Sequence, residues 1–192
     1  MAAPFARGEE LAQDRKMDAK TLARQMAAGI HHAIKAHTDY PKEPGNTVRY
    51  QDHLTPYFVH PIWCGMTLLT ETSLDLALRV RGYQALLWHD VLEDTNLSLP
   101  TDTTPEVSRL VDEMTYGSFR EEREQIWEKS DEAKLLKAYD KVSNLLDGDW
   151  MTSKKWNTHV AHTDRLLSFV SERYGELNIV RMGRAVCRPK LD

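Results

Sequence analysis

Four ionisable side chains, His89, Asp90, Glu93 and Asp94, stand in one short stretch with Leu86-Leu87-Trp88 before them and Val91-Leu92 among them. An apolar helix that carries charge must partner it, because an unpaired buried charge is very costly. A bound cation neutralises several such groups at once, so the stretch reads as half of a metal site. On one continuous helix, His89 and Glu93, and Asp90 and Asp94, share neighbouring stripes. His60 is a candidate for the other half, because it directly precedes Pro61 and proline often occupies the first turn of a helix. Asp140 is the remaining candidate. It lies in the polar stripe Lys137, Asp140, Lys141 and Asn144, opposite an apolar face of Leu135, Tyr139, Val142 and Leu146.

Two histidines and two carboxylates make a mixed nitrogen and oxygen donor set. It suits one divalent ion, manganese(II), iron(II), magnesium or zinc, and its hard oxygens favour an open, roughly octahedral ion over a closed tetrahedral one. Such an ion polarises a phosphoryl oxygen and lowers the pKa of a water. Glu93 and Asp94, one turn beyond, are placed to orient that water or carry its proton.

The elements that must position these residues read as helices. Apolar residues recur at helical spacing in several stretches, and none shows sustained strand alternation. Helices are expected over 18–38, from Pro61 to Thr70, over 73–92 with Ser73 as N-cap, over 105–114 and 118–129, from Ser130 to a stop at Gly148, and finally over 153–174 to Gly175. The proline-rich segment 40–56 is expected to be a long loop. His159 and His162 have metal-ligand spacing but no carboxylates in register, and are expected at the surface. His37 is either support for the site or a packed histidine. Trp88, Trp127, Trp150 and Trp156 are expected in the core.

The fold class is therefore all-α, a single-domain helical bundle over 1–192 with its motif-bearing core at about 18–175. The chain of 192 residues is 41% hydrophobic and 28% charged with a net charge of −4, ordinary for a globular domain and unlike a nucleic-acid-binding surface. Cys64 and Cys187 form no CxxC pair, residues 1–10 carry no apolar signal segment, and no apolar run is long enough for a membrane span. The expectation is a soluble cytoplasmic protein with no nucleic-acid or membrane partner. Its oligomeric state is open.

The order His…His-Asp…Asp resembles the HD-domain metal-dependent phosphohydrolases. The ordered elements are closer still to the (p)ppGpp hydrolase domain of the RelA/SpoT proteins and to the stand-alone small alarmone hydrolases. They are Ala36-His37, Pro56-Tyr57-Phe58-Val59-His60-Pro61, Leu86-Leu87 with His89-Asp90 and Glu93-Asp94-Thr95, Val107 to Thr115, and Lys137 with Asp140 and Asn144.

The resemblance implies an all-helical HD bundle. It implies His60, His89, Asp90 and Asp140 as metal ligands, manganese(II) as the usual ion, and Glu93 and Asp94 as the pair that activates the attacking water. Asn144 resembles a residue that contacts the nucleoside, and Arg49 one that meets the substrate phosphates, with Lys141 adding positive charge. The implied activity is a metal-dependent phosphohydrolase on a small phosphorylated nucleotide, in the first instance a (p)ppGpp 3′-pyrophosphohydrolase. The alternatives are an HD phosphatase for another nucleotide, such as a 2′-phosphorylated dinucleotide or a nucleoside monophosphate, and a non-catalytic nucleotide-binding sensor. The chain departs from the subgroup pattern in three places. The stretch from His37 to His60 is long and lacks the family's Gly-Gln pair, the gap from His60 to His89 is also long, and Leu145-Leu146-Asp147 stands where the family has x-Arg-Thr.

Overall fold

The computed structural model describes residues 19–188, and among these there is no β-strand. The reading of residues 1–10 and the first residue of the expected opening helix, Asp18, lie outside the described residues. The helices are α1 (Ala19–Asp39), α2 (Val59–Leu69), α3 (Leu76–Trp88), α4 (Val91–Asp94), α5 (Pro105–Met114), α6 (Phe119–Gln125), α7 (Asp131–Leu146), α8 (Ser153–Tyr174) and α9 (Asn178–Val186). The fold is all-α, as the periodicity indicates. No described helix is long and apolar enough to cross a membrane.

Helix starts follow from capping chemistry. Asp75, Thr104, Ser118, Ser130 and Thr152 each accept a hydrogen bond from a backbone N–H in the first turn that follows, which satisfies donors the helix cannot. α7 is the hub, packed against α2, α3, α5, α8 and α9. Leu135, Leu136 and Tyr139 of α7 meet Leu68 of α2, Leu86 and Leu87 of α3, Leu110 of α5 and Leu166 of α8 in one buried cluster. A Cβ on Gly82 would come within 2.6 Å of Leu68 and 3.0 Å of Leu136, so glycine is what lets α3 approach its neighbours so closely.

Four expectations need correction. The helix expected over 73–92 is broken: it is capped by Asp75 rather than Ser73, ends at Trp88, and resumes as α4. Asp90, at φ −92 and ψ −4, sits in the bridge region, which loosens the helical repeat at the histidine-aspartate pair. Segment 40–56 is a connection, but a tethered one. It contains a 3₁₀ turn at Pro44–Thr47 and an antiparallel bridge from Pro41 to Thr95. Gly148 does follow the end of α7, yet it has no left-handed conformation; a Cβ there would come within 2.5 Å of the Trp156 ring. Finally, α9 was not anticipated. Its Ile179, Val180 and Gly183 face α7 and α8 at helical spacing in a stretch too short to stand out.

Buried Glu71 fixes α9 against the hub. Its carboxylate accepts from the N–H groups of Asn178 and Ile179, each at 3.0 Å, and from the Tyr139 hydroxyl at 3.1 Å. Glu71→Ala leaves two buried donors and one part-buried donor unpaired, and urea unfolding is expected to show a loss of about 3 kcal/mol. A loss under about 0.5 kcal/mol contradicts this role for Glu71.

Candidate metal centre

His60, in the first turn of α2, His89, at the end of α3, and Asp140, in the middle of α7, are brought together from three elements. All three are buried, and one donor atom from each lies within 4.8 Å of the others. His60 Nε2 is 3.4 Å from Asp140 Oδ1 and 3.4 Å from Asp90 Oδ2. His89 Nε2 is 3.1 Å from Asp90 Oδ1 and 3.8 Å from Asp140 Oδ1. Asp90 thus flanks the trio and faces both imidazoles.

The donors fit a divalent cation. His89 Nδ1–H donates to the Leu86 carbonyl at 2.8 Å, which leaves the Nε2 lone pair for the site. That Nε2 is buried and has no hydrogen-bond partner. Ser143 holds His60 Nδ1 at 2.8 Å, likewise leaving Nε2 inward. Burial alone lowers the His89 pKa, but Asp90 and then Asp140 outweigh it and raise it to about 9. The site therefore asks for positive charge at that nitrogen, which a cation supplies.

The second oxygen of Asp140 turns away from the histidines. Lys137 reaches Oδ2 at 3.0 Å and Lys141 at 3.2 Å. Burial pushes the Asp140 carboxyl up, but Lys137 and Lys141 hold it well below the ordinary range. Glu122 of α6 sits behind the lysines, 2.7 Å from Lys141 and 3.5 Å from Lys137, with its other oxygen 2.9 Å from His162 Nε2. His162 is accordingly buried rather than at the surface, and His159 stacks on Phe119 with ring centroids 3.8 Å apart. Lys141, expected to meet phosphates, is buried with its ammonium paired to Glu122 and Asp140. Sequence reasoning missed Glu122, because an acidic residue in Arg-Glu-Glu-Arg-Glu looks like a solvated face.

The substrate-facing candidates form a second chain. Asn144 donates to Asp140 Oδ1 at 2.6 Å and accepts from Arg49 at 3.2 Å. The Nε–H of Arg49 is bound to Asp147. Asp147 is only 9% exposed, and its Oδ1 has no hydrogen-bond partner. Tyr57 donates to Asp90 Oδ2 at 2.8 Å and lies under the Arg49 guanidinium. His37 packs on Tyr57, is 1% exposed, and has neither ring nitrogen hydrogen-bonded; burial lowers its pKa to about 4, so it sits neutral behind the site. Trp88 and Trp156 are core and Trp127 is half-buried, but Trp150 is 41% exposed and packs on Tyr50 at the outer end of this chain.

Glu93 and Asp94 are half-buried in α4. Burial raises Glu93 to about 7, and burial with the nearby Asp90 charge raises Asp94 to about 6. Both can hold or release a proton near neutral pH. Glu93 Oε1 is fixed by the Tyr116 N–H at 2.7 Å. Lys42, from segment 40–56, donates to the Leu92 and Glu93 carbonyls at 2.7 and 2.8 Å and so terminates α4.

Glu122 sets an acid limit on the network. Burial alone would raise its pKa, but Lys141 and then Lys137 depress it to about 2, below its ordinary 4.5. A depressed folded-state value contributes stability that is complete above the unfolded value and is lost as pH falls toward the folded one. Glu122→Gln is expected to cost about 3 kcal/mol near neutral pH, since it leaves two buried ammonium groups sharing the Asp140 carboxylate alone. In urea titrations the gap between parent and variant should narrow below pH 4.5. An equal gap at neutral pH and near pH 3 refutes this linkage.

No protein-family model matches the chain. The guanosine-3′,5′-bis(diphosphate) 3′-pyrophosphohydrolases MESH1 of Mus musculus and Homo sapiens are each 34% identical to it over 116 residues, 55% of this chain. The match spans 63% of the length of each of these relatives. A solved structure described as a metazoan ortholog of SpoT that hydrolyzes ppGpp and plays a role in starvation responses shares the fold. Its TM-score is 0.61 at 22% identity, over 84% of this chain and 93% of that one. The sequence likeness is thus to the MESH1 enzymes over part of their length, and the likeness to the SpoT ortholog is one of fold.

Proposed function

We propose that the protein is a metal-dependent phosphohydrolase that removes the 3′-pyrophosphate of (p)ppGpp. The observation that carries this reading is the buried trio His60, His89 and Asp140, with an unpartnered imidazole nitrogen turned into it. The matched MESH1 enzymes, named for that reaction, lend it a substrate. In the reaction, water adds its oxygen to the 3′-linked phosphorus, the bond to the ribose 3′ oxygen breaks, that oxygen takes up a proton to become the 3′-hydroxyl, and pyrophosphate is released.

His60, His89, Asp90 and Asp140 hold the ion, manganese(II) in this reading. The ion supplies Lewis-acid polarisation of the phosphoryl oxygen and acidifies a water. Glu93 and Asp94 orient the water and take its proton, a role their raised pKa values suit. Asn144 contacts the nucleoside. Arg49 and Lys141 add positive charge near the phosphates, Lys141 from behind Asp140 rather than by direct contact. We take the whole chain as one HD domain, acting in the cytoplasm on a small nucleotide without a nucleic-acid partner.

A second reading keeps the chemistry and changes the nucleotide. It is favoured by Asp147, whose carboxylate pairs with Arg49 and so offsets the positive charge a phosphate would need.

Pyrophosphate release from (p)ppGpp by the manganese-loaded protein tests the first reading, with a panel of other phosphorylated nucleotides beside it. Release of pyrophosphate is the expected result. Turnover of another nucleotide alone transfers the proposal to that substrate, and binding without turnover makes the protein a sensor. Glu93→Gln is expected to keep the metal, measured by elemental analysis, and to lower kcat by about 100-fold or more. His89→Ala is expected to lose the metal. An unchanged metal content in His89→Ala ends the site assignment. Asp147→Asn releases Arg49, and KM for substrates with more phosphate charge is expected to fall relative to the parent. An unchanged KM across the panel removes Asp147 from recognition.

A further inference from the structure

Between α6 and α8, on the far side of Glu122 from the metal centre, lies a groove of about 690 Å³ that the chemistry above does not use. Arg123, Lys154 and Arg165 line it, and His162 contributes to its wall. No carboxylate pairs with these three cations among the described residues. The acidic residue of the groove, Glu124, is already engaged by Arg120 at 3.1 Å. The groove is thus locally cationic on a chain whose net charge is −4. One of the cations is stacked on a ring and a second lies near one. Arg165 lies over the Trp127 ring at 3.7 Å and Arg123 over the Phe119 ring at 5.6 Å. A guanidinium stacked on a ring keeps its in-plane N–H donors turned outward, the geometry that grips oxyanions in pairs.

We propose that this groove binds an oligophosphate anion, with Arg123 and Arg165 as its fork donors and Lys154 as a third charge. Three unpaired cations suit a group carrying more than one negative charge better than a single carboxylate. Arg123, Lys154 and Arg165 are exposed, and the buried part of the wall is His162. His162 is hydrogen-bonded to Glu122, whose other oxygen holds Lys141 against Asp140, so the groove backs onto the same buried polar network as the metal centre. The inference stands apart from the proposed activity, since it concerns binding at a different face.

The test uses the full chain labelled with 5-fluorotryptophan and loaded with magnesium, which leaves fluorine NMR lines sharp. Trp127 reports the groove, and Trp88, directly before His89, reports the metal centre in the same spectrum. Titration with inorganic pyrophosphate is expected to shift the Trp127 signal saturably. The Arg123→Glu/Arg165→Glu variant, its fold checked by the other tryptophan signals, is expected to weaken that response by about tenfold or more. A parallel titration with a nucleoside diphosphate assigns the occupant: tighter binding than pyrophosphate means a nucleotide, and weaker binding means free oligophosphate. A shift of Trp88 alone, or an unchanged Trp127 response in the folded double variant, overturns the proposal. Both results leave the hydrolase reading to its own assay.

Discussion

A buried carboxylate must be satisfied on every side, and Asp140 is satisfied from two opposite directions. Oδ1 faces the His60 and His89 imidazoles and Asn144, while Oδ2 faces Lys137 and Lys141. Asp140 sits on the helix that contacts most of the bundle, so its needs spread outward. The two lysines, buried in turn, require Glu122 from α6, and Glu122 engages His162 from α8. One buried charge on α7 therefore fixes the placement of α2, α3, α6 and α8. Apolar packing alone brings helices together in many registers; this network admits few.

The break between α3 and α4 is the other device that builds the site. An unbroken helix would place Glu93 and Asp94 directly in line with His89 and Asp90. The bridge conformation at Asp90 turns its carboxylate toward both histidines, and α4 restarts on a changed line. A four-residue helix has little stability of its own. It is held by Lys42 on its terminal carbonyls, by the Tyr116 N–H on Glu93, and by the pairing of Pro41 with Thr95. The catalytic candidates thus stand on a short element whose supports come from a connecting segment and from the end of α5.

What could be read from the sequence follows the range of the interactions. His60, His89, Asp90 and Asp140 carry residue types and an order specific enough to recognise, and α5 and α8 have start signals close to their true ends. Partners distant in sequence were hidden. Glu122 and His162 are 40 residues apart, and each alone looks like a surface residue. Glu71 and Ile179 are 108 apart, and α9 depends on that contact for a cap that its own sequence does not supply. The helix break at His89-Asp90 was also hidden, because apolar spacing continues through it while the conformation of Asp90 answers to the histidines.

The first and last departures from the pattern the sequence resembles are neighbours in space. Arg49 and Tyr50 belong to the lengthened segment before His60; Asp147 and Trp150 belong to the altered stretch after Asn144. In three dimensions Arg49 binds Asp147, and Tyr50 packs on Trp150 with ring centroids 4.9 Å apart. Neither change makes sense alone: an added carboxylate beside a free phosphate-binding arginine would only weaken it, and an exposed tryptophan would be an idle apolar surface. Together they form one polar pair and one aromatic pair at the outer end of the chain that runs through Asn144 to Asp140. The two stretches are therefore coupled in space, beside a buried His60, His89 and Asp140 cluster that could hold a metal.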